Sequence, residues 1–219
     1  MAKIFISKHL TPNDNWALFL QEEGHNITGV SCIETQTIFI QEVPTADWTF
    51  FSSAQGVKHF LDQQPITSQY IGVMGEGTQK ALENYGHHAD FIGQSSDPTS
   101  VGQAFKLHLK PNQKILFPAS AISKRSIASQ LTEQDIIHLP TYRTLPLSIS
   151  IDQQDIYIFT SPSNIDGFLI SQNLTDAAYI AYGPTTGNYL KEKGVKNLSI
   201  LEQVSSDLLL RTIKEKISG

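Results

Sequence analysis

Short apolar runs alternate with amphipathic stretches along most of the chain. The runs are rich in β-branched and aromatic residues, as at 48–51 and 156–160, which is typical of buried strands. The stretches between them carry apolar residues at helical spacing, as at 81–85. This alternation predicts an α/β fold with parallel sheets. Strands are expected at 4–7, 48–51, 70–74, 90–92, 114–117, 156–160, 178–182 and 197–201, and helices near 16–20, 57–63, 76–85, 98–109, 123–131, 164–170, 185–193 and 206–217.

Two extended segments, 30–42 and 136–147, depart from this alternation because no helix interrupts them. Each contains β-branched residues typical of strands. They occupy the same place in the two halves of the chain. We therefore expect them to pair as a two-stranded linker between two modules.

The chain also repeats itself at an offset of 108 residues. Between residues 51 and 86, ten of 36 positions are identical to the residue 108 positions later. The clearest matches are Phe-Ser-Ser at 51–53 with Phe-Thr-Ser at 159–161, and Gly-Glu-Gly-Thr at 75–78 with Gly-Pro-Thr-Thr at 183–186. Such a repeat predicts two similar modules, and ligand sites favour the clefts between modules.

Composition narrows the class of protein. The 219 residues are 40% apolar and 17% charged, as in a globular protein. A net charge of −5 argues against a nucleic-acid partner but not against an anionic ligand, because helix N-termini bind anions through backbone N–H groups. The lone Cys32 excludes an internal disulfide. No run of about 18 apolar residues and no signal-peptide pattern is present, so no membrane partner and a cytoplasmic location are expected.

The repeated turns are the first candidates for chemistry. Gly75 and Gly183 each follow a strand and open a helix, where free N–H groups and threonine hydroxyls suit an anion at the carboxyl end of a parallel strand. Ser53 and Ser161 open helices in the same way, with ordinary capping as the alternative explanation for all four turns. Gly75-x-Gly77 lacks the third glycine of a dinucleotide fingerprint because Lys80 stands there.

Two other groups of residues are candidates for chemistry. The adjacent histidines 87 and 88 do not have helical ligand spacing, so no metal site is expected. Tyr142 lies within Pro-Thr-Tyr-Arg-Thr at 140–144, in the second extended segment. Tyr142 is a candidate because a linker residue faces the cleft between two modules more readily than a core residue does. A purely structural role for this tyrosine is the alternative. The seven histidines are expected to lie mostly on the surface.

Together these motifs resemble the uroporphyrinogen-III synthase family. The matching stretches, which extend over nearly the whole chain, are 51–57 (Phe-Ser-Ser-Ala-Gln-Gly-Val), 73–78 (Val-Met-Gly-Glu-Gly-Thr), 115–118 (Ile-Leu-Phe-Pro), 142–144 (Tyr-Arg-Thr), 159–163 (Phe-Thr-Ser-Pro-Ser) and 181–186 (Ala-Tyr-Gly-Pro-Thr-Thr). The resemblance implies an α/β fold of two flavodoxin-like parallel-sheet domains, joined by a two-stranded β linker, with the active-site cleft between them. Residues 1–29 plus 148–219 would form domain 1, residues 44–135 domain 2, and residues 30–43 and 136–147 the linker strands.

The resemblance also implies an activity. The family is a cofactor-free and metal-free lyase of haem and other tetrapyrrole biosynthesis. It cyclises hydroxymethylbilane, a linear tetrapyrrole with eight carboxylates, to uroporphyrinogen III, with loss of water and inversion of the last ring. Its members are monomeric. A non-catalytic two-domain binder of a small polyanionic ligand is the alternative.

The resemblance implies functional roles for individual residues. Tyr142 matches the family tyrosine thought to assist departure of the substrate hydroxyl, and a phenol carries the proton that this needs. Lys8 lies where the family often has arginine, and it keeps the charge but loses bidentate binding of carboxylates. The expected substrate-binding residues are Lys8, Ser53, Gln55, Gly75, Thr78, Ser161, Ser163, Gly183, Pro184, Thr185 and Thr186.

Overall fold

Helices and strands alternate through the computed structural model, which describes residues 1–95, 97–202 and 205–218. The strands are β1 (Lys3–Ile6), β2 (Asn26–Gly29), β3 (Ile33–Thr37), β4 (Trp48–Phe51), β5 (Tyr70–Val73), β6 (Phe91–Ile92), β7 (Lys114–Ser120), β8 (Asp135–Pro146), β9 (Ile156–Phe159), β10 (Ala178–Tyr182) and β11 (Leu198–Leu201). The helices are α1 (Asn15–Glu22), α2 (Ala54–Leu61), α3 (Glu76–Glu83), α4 (Pro98–Lys106), α5 (Pro162–Phe168), α6 (Gly183–Glu192) and α7 (Ser206–Ser218), with one 3₁₀ turn at Ala128–Gln130.

The chain divides into two compact units. Unit 1 comprises Met1–Glu34 and Leu145–Gly219, and unit 2 comprises Thr35–Thr144. Gly219, the last residue of the expected first domain, lies outside the described residues. Each unit contains its own sheet and its own apolar core.

Unit 1 has a five-stranded parallel sheet in the order β2-β1-β9-β10-β11. Numbered within the unit, this is the 2-1-3-4-5 order of flavodoxin-like folds. Alternate residues of β1 enter different cores, with Ile4 and Ile6 on one face and Phe5 on the other. Because helices cover both faces, the strands are apolar at nearly every position.

Unit 2 contains most of a six-stranded sheet in the order β3-β8-β7-β4-β5-β6. The five strands from β8 to β6 pair in parallel. Numbered in chain order within the unit and read from β6 to β8, they have the order 3-2-1-4-5. The strand order reverses between β4 and β7. The fold class expected from the sequence, α/β with parallel sheets in a two-domain chain, is confirmed.

Two local predictions were wrong. Residues 123–131 form only the 3₁₀ turn at Ala128–Gln130 and not the predicted helix, because Arg125 adopts the left-handed conformation with φ 57° and its backbone N–H donates to the Ser123 hydroxyl oxygen. Strand β2 was not predicted, because its Asn-Ile-Thr-Gly sequence offers a single buried apolar residue, Ile27. The strand forms by pairing with β1.

Helix α5 approaches the backbone of unit 1 so closely that only glycine fits at position 167. A Cβ atom on Gly167 would lie 1.8 Å from the carbonyl oxygen of Cys32. The Cys32 backbone N–H donates to the Asn164 side-chain oxygen from the same helix. The Cys32 thiol is fully buried, and burial raises its pKa to about 12, so it behaves as a small apolar group.

We therefore expect Gly167→Ala to lower the free energy of unfolding by about 1–3 kcal/mol or more through overpacking. Gly77→Ala is the matched control, since nothing lies within 4 Å of its added Cβ and it too is in a helix. That control should be neutral or slightly stabilising. Urea titrations followed by circular dichroism compare the two, and equal midpoints would contradict the close approach.

Candidate functional site

Tyr142 of β8 lies against the start of helix α2 in unit 2. Its side chain is 8% exposed, and its hydroxyl oxygen is 3.3 Å from the Ser53 hydroxyl oxygen. Ser53 also caps α2, since its side chain accepts a hydrogen bond from the Gly56 N–H at 3.1 Å. A single serine therefore fixes the helix start and contacts the phenol.

His59 packs flat on the Tyr142 ring. The ring centroids are 5.0 Å apart and the planes differ by 19°. His59 is 4% exposed, and each ring nitrogen lies 2.8 Å from a threonine hydroxyl of the neighbouring extended segment: Nε2 from Thr35 and Nδ1 from Thr37. The expectation that the histidines lie mostly on the surface is wrong for this one.

The hydrogen bonds around His59 determine which ring nitrogen carries the proton. The Thr35 hydroxyl donates to the Gln55 side-chain oxygen at 3.3 Å, so it accepts from His59 Nε2–H. Nδ1 then accepts from the Thr37 hydroxyl. Burial, and secondarily the Lys58 ammonium, lower the pKa of His59, so a neutral imidazole stacks on the tyrosine. The sequence offered only the shared helix face of residues 55 and 59 as a signal for this network.

The glycine turn of unit 2, at residues 75–78, is less accessible to a ligand than the sequence predicts. Gly75 precedes α3 in an extended conformation, with φ 175°, and its carbonyl accepts from the Thr78 and Gln79 N–H groups. Thr78 is only 7% exposed and forms part of the buried face of α3. The structure does not place Gly75 and Thr78 in hydrogen-bond contact with Tyr142.

In unit 1 the serine turn is closed by hydrogen bonds across the strand ends. The Ser7 hydroxyl lies 3.1 Å from the Thr160 hydroxyl and accepts from the Thr160 N–H at 2.9 Å. Ser161 caps α5 by accepting from the Asn164 N–H, and its oxygen also accepts from the Asn164 amide. Ser163 is half-buried in the first turn of the same helix.

The glycine turn of unit 1 begins helix α6. Gly183 has φ +80°, and Pro184 follows in the first helical turn. Thr185 is exposed, whereas Thr186 is 2% exposed. Only one of the two threonines therefore faces outward, because the other lies on the side of α6 that packs on the sheet.

Lys8 is not a free cation. Its ammonium is 2.5 Å from the Asp14 carboxylate, which also accepts from the Thr11 N–H and hydroxyl and from the Trp16 indole. The pKa of Asp14 is lowered, because these hydrogen bonds and the Lys8 charge outweigh its burial. Lys8 thus stabilises the start of helix α1.

Two features are absent from the residues that the structure describes. No group of three or more His, Cys, Asp or Glu side chains in this part of the chain is arranged to hold a metal ion. Among the same residues, no helix has the length and apolar character needed to cross a bilayer.

A family model described as "Uroporphyrinogen-III synthase HemD" matches residues 14–211. The chain belongs to the uroporphyrinogen-III synthase family. A search of curated protein sequences found no match. The family is a group of cyclising lyases of tetrapyrrole biosynthesis, so the expected enzyme class is confirmed.

Solved structures of this family share the fold. The uroporphyrinogen-III synthetase from Helicobacter pylori aligns with a TM-score of 0.71 at 18% identity, over 98% of this chain and 100% of that one. A mutant uroporphyrinogen III synthase from the extreme thermophile Thermus thermophilus aligns with a TM-score of 0.60 at 15% identity, over 100% of this chain and 99% of the other. At these identities the likeness concerns the fold alone.

The two glycine turns of this synthase-family chain predict different responses to mutation. Gly183→Ala should lower the free energy of unfolding by about 1–2 kcal/mol, because alanine is strained at φ +80°. Gly75→Ala should change it little, since its φ suits any residue and the new Cβ would meet only the Gly93 carbonyl at 3.5 Å. Urea titration of both variants tests this, and equal losses would refute the assigned conformations.

The lowered pKa of His59 predicts that the free energy of unfolding depends on pH. Its folded-state pKa lies below the ordinary value of 6.5, so on acidification the unfolded chain binds the proton first. Stability should therefore fall as pH drops below 6.5, by up to about 1.4 kcal/mol per pH unit for each such group, and His138, whose pKa is also lowered, adds to the slope.

The variant His59→Gln should be less stable at pH 8 but should lose less stability between pH 6.5 and 5. His9→Gln, at an exposed position, is the control and should keep the wild-type slope. Urea titrations at several pH values measure this. An unchanged slope in His59→Gln would contradict a buried neutral imidazole.

Proposed function

We propose that this chain converts hydroxymethylbilane into uroporphyrinogen III, with Tyr142 as the proton donor to the leaving hydroxyl. Membership of the synthase family supports the reaction. The observation that carries the residue assignment is the position of the Tyr142 phenol, nearly buried, with its ring stacked on a neutral imidazole and its oxygen beside Ser53.

The proton and electron balance of the first step is simple. The Tyr142 phenol gives a proton to the substrate hydroxyl while the carbon–oxygen bond breaks, and water leaves. The carbon becomes an electrophile that is stabilised by the adjacent pyrrole. The substituted α-carbon of the terminal ring attacks this carbon and forms a spiro intermediate. The bond from that α-carbon to its original methylene bridge then breaks, and the released bridge carbon bonds to the free α-carbon of the same ring, which inverts the ring. Loss of the proton at that α-carbon restores the phenol, so the net change is loss of one water.

Holding the phenol in one orientation matters because the linear substrate also closes unaided, to the wrong isomer. The enzyme must therefore both accelerate ring closure and favour one geometry. A preference of about 3 kcal/mol gives roughly 100-fold selection. The two hydrogen-bonded nitrogens of His59 and the cap at Ser53 restrict the Tyr142 ring, and such restriction lowers the entropic cost of alignment.

The carboxylates of the substrate require donors rather than a net positive protein. The exposed Thr185 and the turn at Gly183 begin helix α6, where backbone N–H groups attract anions. We assign Gly183, Pro184 and Thr185 to carboxylate binding. Ser161 and Ser163 open α5 in the same unit and are assigned the same role.

In unit 2, Ser53 and Gln55 are assigned to the region around the leaving hydroxyl. The buried Thr78 and Thr186, the ion-paired Lys8 and Gly75 support the helix starts rather than contacting substrate.

We expect Tyr142→Phe to lower kcat by about 10-fold or more, because it removes the acidic proton and keeps the stacked ring. Tyr85→Phe is the matched control. It also lies in unit 2 and also loses one hydroxyl hydrogen bond, to Asp62. The control should retain wild-type activity.

The assay supplies freshly generated hydroxymethylbilane and resolves the product isomers after oxidation. Formation of isomer III by the wild type is expected. If the wild type gives isomer I alone, the chain is no synthase and a polyanion-binding role takes its place. Near-wild-type turnover by Tyr142→Phe would remove Tyr142 from the mechanism while leaving the activity established.

A further inference from the structure

Unit 2 contains a cavity of about 220 Å³ that the sequence did not predict. It lies at the carboxyl ends of β4, β5 and β7, with Ser52, Met74 and Ala119 in its wall. The strand order of this sheet reverses between β4 and β7. In open α/β sheets, ligands bind in the crevice at such a reversal.

The two units differ at this topological position. In unit 1 the order reverses between β1 and β9, and there the Ser7 and Thr160 side chains bond to each other across the strand ends. In unit 2 the corresponding place is open, and its wall carries side chains suited to a ligand.

The lining is apolar inside. Met74, Phe117 and Ile127 contribute apolar surface, and the Phe117 and His138 rings lie 6.0 Å apart. A cavity of about 150 Å³ is enough for one benzene molecule. A five-membered aromatic ring with a short side chain therefore fits the available volume.

The remaining wall is basic. Lys124 and Arg125 line the cavity, both are exposed, and neither forms an ion pair within residues 1–95, 97–202 and 205–218. No lining residue is acidic. Asp97, which precedes the lining Pro98, directs its carboxylate to the Thr99 and Ser100 N–H groups of α4.

His138 adds a polar but uncharged ring. Burial, and then the nearby Arg125 charge, lower its pKa, so the imidazole is neutral at pH 7. The local positive charge is thus carried by Lys124 and Arg125. The Arg125 backbone is held by the Ser123 hydroxyl and by the Ser129 N–H, which donates to the Arg125 carbonyl.

We propose that this cavity binds one pyrrole ring of the substrate together with a carboxylate side chain of that ring, and that Arg125 is the partner of the carboxylate. The proposal rests on the proposed function for the identity of the ligand. Apolar walls suit the face of the ring. A guanidinium suits a carboxylate because it offers two parallel N–H donors.

The test uses the full-length chain and 3-(1H-pyrrol-3-yl)propanoate as probe, with binding followed by NMR of the ¹³C-labelled His138 ring at pH 7. The probe should shift the His138 signals in a saturable way. Its methyl ester, which keeps the ring but not the charge, should bind at least about 10-fold more weakly. Arg125→Gln should raise the Kd of the probe at least about 10-fold.

Arg211→Gln is the matched control, since Arg211 is an exposed arginine of helix α7 paired with Glu215, and it should leave the Kd unchanged. A wild type whose His138 signals do not respond to the probe, or an Arg125→Gln variant with the wild-type Kd, overturns the proposal. Failure of the proposed function is a different result: the wild type then forms no isomer III, whatever the probe does.

In the synthase assay, Arg125→Gln should raise the KM for hydroxymethylbilane at least about 10-fold with a smaller change in kcat. An unchanged KM, with isomer III still formed, would contradict substrate binding in this cavity while leaving the synthase activity established.

Discussion

The central strands of both sheets are buried on both faces, and this constraint determines where polar chemistry is possible. Strands β4 and β9 are buried at every position, so their side chains cannot reach a ligand. In the fully buried strands, accessible hydroxyls and free N–H groups are therefore confined to the strand ends and the helix starts that follow them. The serine caps, the glycine turns and the cavity of unit 2 all lie at the carboxyl ends of strands for this reason. Tyr142 differs because it lies within β8, which is only partly buried.

At the serine turns, the two copies of the repeat share a backbone conformation but differ in the side chains that follow. Ser53 and Ser161 have nearly the same extended conformation, with φ −160° and −161°, and each caps its helix. Six residues further on, the copies diverge, since His59 corresponds to Gly167. In unit 1 the glycine admits the Cys32 carbonyl against the helix, whereas in unit 2 the imidazole occupies that side of the helix and stacks on Tyr142. One repeat position therefore serves close packing in one unit and the support of a phenol in the other.

Local signals explain what the sequence could predict. The strands β4, β5, β9 and β10 are continuous apolar runs, and the caps at Ser53 and Ser161 are hydroxyl residues directly before a helix, so neighbouring residues carry the information. The network of His59 could not be predicted in this way, because its partners Thr35 and Thr37 lie 24 and 22 residues away. The same holds for Thr186, whose burial depends on how α6 packs on its sheet.

How a chain with a net negative charge attracts a polyanionic substrate is explained by the positions of particular charges. Several cations are already neutralised within the described residues: Lys8 by Asp14, Lys58 by Asp62, Lys106 by Glu133 and Lys214 by Glu23. These pairs stabilise helix ends or link elements and leave little attraction for a distant anion. Lys124 and Arg125 differ because no carboxylate lines their cavity. Because salt screens charges beyond about 8–10 Å, a local excess of two cations outweighs a net charge of −5 spread over the whole surface.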